Sequence, residues 1–197
     1  EYFKLTADNN GGSVNWKNIE NLTIGDYAYS RVTNSSNEEE NAYWNGTEKV
    51  LYLFNGASLA SDLWKTTGDS ELPSLSINDD VTVQGSPGND AMNLNVDRAN
   101  DYTGNLTLNM KDGNDSFYST KLKNGDSVDM GAGDDYIAIM VGGGSGTPTI
   151  ANLSLIKLDG GTGSDTISWG ESGTNTTELT LTTGGATNFE NIYGTDG

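Results

Sequence analysis

Four aspartates, Asp90, Asp115, Asp135 and Asp165, share one local setting: Gly-x-Asp, then a large apolar residue two positions on. The copies read Gly88-Asn89-Asp90-Ala91-Met92, Gly113-Asn114-Asp115-Ser116-Phe117, Gly133-Asp134-Asp135-Tyr136-Ile137 and Gly163-Ser164-Asp165-Thr166-Ile167. Such a turn offers oxygens to a hard cation. Glycine permits the left-handed or close-approach backbone that points a carbonyl at an ion, and Asp adds a short carboxylate. Ca²⁺ takes roughly six to eight oxygens of these two kinds. One turn supplies only part of that shell, so an ion would have to bridge consecutive turns, and stacking and metal binding would become one event. The candidate ligands are Asp90, Asp115, Asp135 and Asp165, the glycines Gly88, Gly113, Gly133 and Gly163, and two further carboxylates in the same turns, Asp112 and Asp134.

The elements that must position these turns are strands. Before the turns come Val81-x-Val83, Leu106-x-Leu108-x-Met110, Val128-x-Met130 and Leu153-x-Leu155; after them come Met92-x-Leu94-x-Val96, Phe117, Ile137-x-Ile139-x-Val141 and Ile167-x-Trp169. Alternation of period two puts one face inward and the other outward. The aspartates are spaced by 25, 20 and 30 residues, which suits one turn of a β-solenoid with variable arcs. A parallel stack sets the four in a row, where like charges repel and call for a counter-ion. Counted from the last apolar strand residue, the turns come in two lengths: five residues for Met110 to Asp115 and Met130 to Asp135, seven for Val83 to Asp90 and Leu158 to Asp165. The middle pair, Asp115 and Asp135, is expected to form the best-matched site.

The expected organisation is an N-terminal β region over 1–75, interrupted by an irregular insertion at about 31–73, followed by a calcium-binding β-solenoid over 76–197. Asn18-Ile19-Glu20-Asn21-Leu22 recurs as Asn188-Phe189-Glu190-Asn191-Ile192, which predicts that the solenoid begins before residue 30. The insertion carries a predicted strand, Val50-x-Tyr52-x-Phe54, a short helix near Ala57–Trp64, and the aromatics Tyr43, Trp44, Tyr52, Phe54 and Trp64. Those rings form either a small satellite core or, if exposed, a platform for sugars or a protein contact.

Composition narrows the chemistry. There are 28 acidic residues against 10 basic ones, a net charge of -18, no cysteine and no histidine. Disulfides, zinc sites of the usual ligand type and Cys- or His-based catalysis are excluded. The acidity disfavours nucleic acid and anionic membranes, and no run has the length of a transmembrane helix. Gly alone supplies 26 of the 197 residues, which suits a thin-cored solenoid. A first residue Glu1 and a tail ending Tyr193-Gly194-Thr195-Asp196-Gly197 in mid-motif suggest a piece of a larger protein.

Gly160-Gly161-Thr162-Gly163-Ser164-Asp165-Thr166-Ile167-Ser168 fits the nine-residue pattern G-G-x-G-x-D-x-U-x in full. It resembles the hemolysin-type (repeats-in-toxin, RTX) calcium-binding repeat of secreted bacterial proteins. Gly85 to Asn93 fits with Ser86 in place of the second glycine, Gly131 to Ala138 fits from the second glycine onward, and the Asp112–Phe117 copy is weaker. The resemblance implies a right-handed parallel β-roll or β-helix, Ca²⁺-triggered folding outside the cell and export by a one-step, type I secretion system. It also makes the aspartates at 90, 115, 135 and 165 side-chain ligands. Family members run nonapeptides back to back, with calcium on both edges. One motif per coil with long arcs, as here, points instead to a wider β-helix with calcium along one edge. Such arcs are similar to those of surface-layer proteins and large adhesins.

The expected function is a structural, Ca²⁺-dependent segment of an exported bacterial cell-surface protein, without catalytic residues. Its partners would be calcium ions, neighbouring copies of itself or cell-surface polysaccharide, with no nucleic acid and no membrane insertion. Two alternatives stay open. One is a carbohydrate-binding or auxiliary module of a secreted polysaccharide-active enzyme. The other is an enzyme using paired acids such as Asp79-Asp80 or Asp134-Asp135.

Overall fold

The computed structural model describes residues 21–24, 27–33, 39–54, 56–59, 78–94, 104–119, 122, 125–141, 157–171 and 185–194. All their regular structure is β. The first five strands are β1 (Asn21–Ile24), β2 (Tyr27–Thr33), β3 (Glu39–Asn45), β4 (Val50–Leu53) and β5 (Ser58–Leu59). Then come β6 (Val81–Gln84), β7 (Ala91–Leu94), β8 (Leu106–Asn109), β9 (Ser116–Ser119) and β10 (Ser127–Asp129). The last five are β11 (Tyr136–Val141), β12 (Lys157–Asp159), β13 (Thr166–Glu171), β14 (Ala186–Thr187) and β15 (Asn191–Gly194).

From β4 onward the strands alternate between two sheets. One runs β4-β6-β8-β10-β12-β14 and the other β5-β7-β9-β11-β13-β15, and every neighbouring pair within these runs is parallel. Each Gly-x-Asp turn joins a strand of the first sheet to one of the second. Register makes the alternation a packing device. Leu51, Val83, Leu108, Val128 and Leu158 stand opposite one another across the first sheet, and Leu59, Met92, Phe117, Ile137 and Ile167 across the second. All ten are buried in one apolar column between the sheets. Each such side chain stabilises the fold by about 1.5–3 kcal/mol, and a slip of one residue would turn the whole set outward.

The first sheet is mixed, because β1, β2, β3 and β4 pair antiparallel with one another in sequence. Asn21-Leu22 therefore lies in an antiparallel strand at the far edge and does not extend the parallel array, contrary to its likeness to Asn191-Ile192; the rest of that run, 18–20, lies outside the described residues. The antiparallel strands do not turn all their aromatics to one side: Tyr43 and Trp44 are consecutive in β3 and face opposite ways. Trp44 joins the main column, and Tyr29 and Tyr43 are also buried. Tyr43 stacks on Phe54 at 5.4 Å between ring centres, with the Arg31 guanidinium over both rings. The helix expected near Ala57–Trp64 is replaced at its start by β5, whose residues pair with Ala91 and Met92; residues 60–64, and Trp64 with them, lie outside the described set.

The two turn lengths inferred from the sequence prove to be one. Gln84, Asn109, Asp129 and Asp159 are in register, and each precedes its aspartate by the same six residues. The count from apolar residues misled because Met110 and Met130 are turn residues. They are buried at the position that glycine takes in the other two copies, Gly85 and Gly160.

Candidate metal centre

In each copy the aspartate immediately precedes the strand that follows the turn, two residues before the core side chain. Side chains two apart share a face, so the carboxylate enters the same interior as Met92, Phe117, Ile137 or Ile167. Asp90, Asp115, Asp135 and Asp165 are 1%, 2%, 2% and 0% exposed, where acidic side chains are rarely found without a partner.

Consecutive copies are joined through these carboxylates. The backbone N–H of Asp90 donates to Oδ1 of Asp115 (2.7 Å), that of Asp115 to Asp135 (2.7 Å) and that of Asp135 to Asp165 (2.9 Å). The row is closed at each end by a different residue. Ala57 N–H donates to Asp90 Oδ1 (2.5 Å), and Asp165 N–H donates to Oε2 of Glu190 (2.8 Å).

A second ladder runs the opposite way through the residue between Gly and Asp. The N–H of Asn114 donates to Asn89 Oδ1 (2.8 Å), that of Asp134 to Asn114 Oδ1 (3.0 Å) and that of Ser164 to Asp134 Oδ1 (3.0 Å). Each pair of consecutive turns is thus clamped twice, once from the buried side and once from the exposed side. Asn89, Asn114, Ser164 and Glu190 belong to this apparatus, although motif spacing alone did not single them out. The signal was present: the variable position is Asn, Asn, Asp and Ser in the four copies, each carrying a side-chain oxygen. Asp134 lies in this exposed ladder, and Asp112 is exposed at a bridge to Ala132. Neither enters the buried row.

Gly133 and Gly163 bring the turns into contact. A Cβ on Gly163 would overlap the carbonyl oxygen of Gly133, and one on Gly133 that of Gly113. At φ 150 and 144 both glycines also hold a backbone that side chains rarely adopt. Gly88 and Gly113 occupy the same position in the other two copies, and Gly88 is not among the glycines with positive φ.

Charge is the unresolved quantity in this arrangement. Oδ2 of Asp115, of Asp135 and of Asp165 is buried with no hydrogen-bond partner. Burial pushes the Asp115 carboxyl up to about 7 and the Asp135 carboxyl up to about 6. The inter-turn N–H bonds oppose the rise, and neighbouring carboxylates add to it. The carboxyls of Asp90 and Asp165 are also raised, first by burial. An ionised carboxylate left unpaired in such an interior is expensive, so it must either take a proton or meet a cation. Among the described residues no group of three or more acidic side chains closes on one point as a preformed cage. A cation at this row would therefore draw on backbone carbonyls as well as carboxylates, the donor mixture Ca²⁺ accepts.

Among the paired acids considered for catalysis, Asp79 bridges to Lys49 (3.1 Å) and Asp80 accepts the Asn105 N–H (2.7 Å). Comparison of the chain with protein-family models, with curated proteins and with solved structures returns no match.

Proposed function

We propose that this chain is a Ca²⁺-dependent structural segment of an exported bacterial cell-surface protein, of the surface-layer or adhesin type, built as a right-handed parallel β-solenoid of the RTX kind. The observation that carries the reading is the row of three buried carboxylate oxygens without a partner, on Asp115, Asp135 and Asp165. An all-oxygen donor set with neither His nor Cys favours a hard divalent cation. Asp115, Asp135 and Asp165 would hold it by their free Oδ2 atoms, and its charge would let them stay ionised at neutral pH. The parallel alternation of strands between two sheets agrees with a solenoid.

The mechanism is linkage. The metal-free chain carries a net charge of -18 and would enclose several acidic groups in its interior, which favours the unfolded state at low Ca²⁺. An ion that binds only the folded state stabilises it in proportion to the logarithm of its concentration. Millimolar calcium outside the cell, against its scarcity in the cytosol, would then make folding follow export. In this reading the protein has no catalytic residues.

The test is a thermal melt followed by circular dichroism, in chelator and then across a Ca²⁺ titration, with Mg²⁺ as control. A midpoint that climbs with Ca²⁺ and not with Mg²⁺ supports the proposal. Equal midpoints in chelator and in millimolar Ca²⁺ would reduce the Gly-x-Asp turns to tight turns and overturn it.

A further inference from the structure

The four copies are not equivalent toward a cation, and the difference lies in Ser86 and Pro87. Asp90 is the one aspartate of the row whose two carboxylate oxygens are both satisfied by the protein. Its Oδ1 accepts from Ala57 N–H (2.5 Å) and from the Ser86 hydroxyl (3.1 Å), and its Oδ2 accepts from Ser86 N–H (2.7 Å). The Ser86 Oγ in turn accepts N–H bonds from Gly56 (3.1 Å) and Gly88 (3.2 Å).

The cause is local and covalent. Lys111, Gly131 and Gly161, at the position of Ser86 in the other copies, hold φ of 76, 95 and 93, whereas Ser86 is not among the positive-φ residues. Pro87 follows it, and proline holds the preceding residue in extended backbone. That conformation accompanies the Ser86 N–H bond to Asp90 Oδ2. Four N–H groups and one hydroxyl therefore converge around Asp90 and Ser86 Oγ. Donors pointing inward make an environment that suits an anion and repels a cation.

We infer that Ser86 stands in for the metal ion at the first turn: Asp90 is a metal-free cap of the row, and ions are held only where Asp115, Asp135 and Asp165 keep a free oxygen. The cap closes the column next to the antiparallel strands without an ion, so the N-terminal end of the stack can form before calcium arrives. Growth of the ordered stack with calcium then runs from the Asp90 turn toward β15. This rests on the calcium reading above and narrows it.

The experiment counts ions. The full chain is saturated with Ca²⁺ as the only added divalent metal, and stoichiometry is read by equilibrium dialysis with radioactive calcium. Circular dichroism checks that each variant is folded. Asp90→Asn should bind as many ions as the unmodified protein, whereas Asp135→Asn should lose at least one. The double variant Ser86→Gly with Pro87→Thr rebuilds the first turn on the pattern of Gly160–Asp165 and should gain one ion; it keeps the assignment testable if Asp90→Asn does not fold. An ion lost in Asp90→Asn, or an unchanged count in the double variant, overturns the cap. If the unmodified protein binds no Ca²⁺ at all, the proposed function falls and takes the cap with it, so the two failures are told apart by the unmodified protein.

Discussion

Asp115 and Asp135 are tied backbone to side chain. The N–H of Asp115 donates to Oδ1 of Asp135 at 2.7 Å, while Oδ2 of Asp135 stays buried and unpartnered. One oxygen of the carboxylate aligns the stack and the other is left with charge to share. The same division recurs at Asp115 and Asp165. It separates the structural use of the row from its proposed use as a cation site, and the two can be tested apart.

Asp135→Asn keeps an oxygen acceptor for Asp115 N–H and removes the buried charge. In chelator the variant should melt at or above the midpoint of the unmodified protein, because an uncompensated buried group costs about 1–3 kcal/mol. In millimolar Ca²⁺ it should gain less from the metal than the unmodified chain does. A variant that loses stability in chelator and keeps its full Ca²⁺ increment would contradict the charge argument.

Stability without metal should fall as pH rises. The Asp115 and Asp135 carboxyls titrate at about 7 and about 6 in the folded chain, above their ordinary value of 3.8. Below roughly pH 4 both folded and unfolded states are protonated. Between that point and about pH 7 the unfolded chain gives up protons that the folded chain still holds, and stability declines. The midpoint in chelator should therefore drop from pH 4 to 7 and then level off, by about 2–4 °C per kcal/mol in a chain of this size. On the calcium proposal, saturating Ca²⁺ would hold the carboxylates ionised, and the decline should vanish or reverse. Melts at several pH values, with and without metal, check this; a midpoint that rises with pH in chelator would refute it.

Gly163→Ala should destabilise by about 2–3 kcal/mol, through overlap with the Gly133 carbonyl and backbone strain at φ 144. Gly194→Ala is the control, since its added Cβ meets nothing within 4 Å, and it should change stability by no more than about 0.5 kcal/mol. Denaturant melts in saturating Ca²⁺ compare the two. Equal effects would mean that the turns do not stack as closely as described.

Lys111→Gly should stabilise. Lys111 sits at φ 76, where the next two copies carry Gly131 and Gly161, and a side chain in that region costs about 1 kcal/mol or more. The midpoint should rise by about 2–4 °C. A fall would show that the Lys111 ammonium, which lowers the Asp90 carboxyl, contributes more than its backbone strain removes.

The Gly-x-Asp spacing and the period-two patterns were enough to determine an all-β chain whose four turns recur between strands, because both signals lie within about ten residues and depend on local sterics and side-chain alternation. They also named the four aspartates that the fold brings into one row. Burial of those carboxylates, the single turn length hidden by Met110 and Met130, the antiparallel setting of Asn21-Leu22 and the paired ladders through Asn89, Asn114 and Glu190 came only with the tertiary structure. Register decides each of them, and register joins residues 20 to 30 positions apart. Ser86 shows the boundary most clearly. Read in the chain it is an imperfect glycine, and only the fold sets the N–H of Gly56 on its hydroxyl oxygen and that of Ala57 on Asp90, so that the protein itself satisfies both Asp90 carboxylate oxygens.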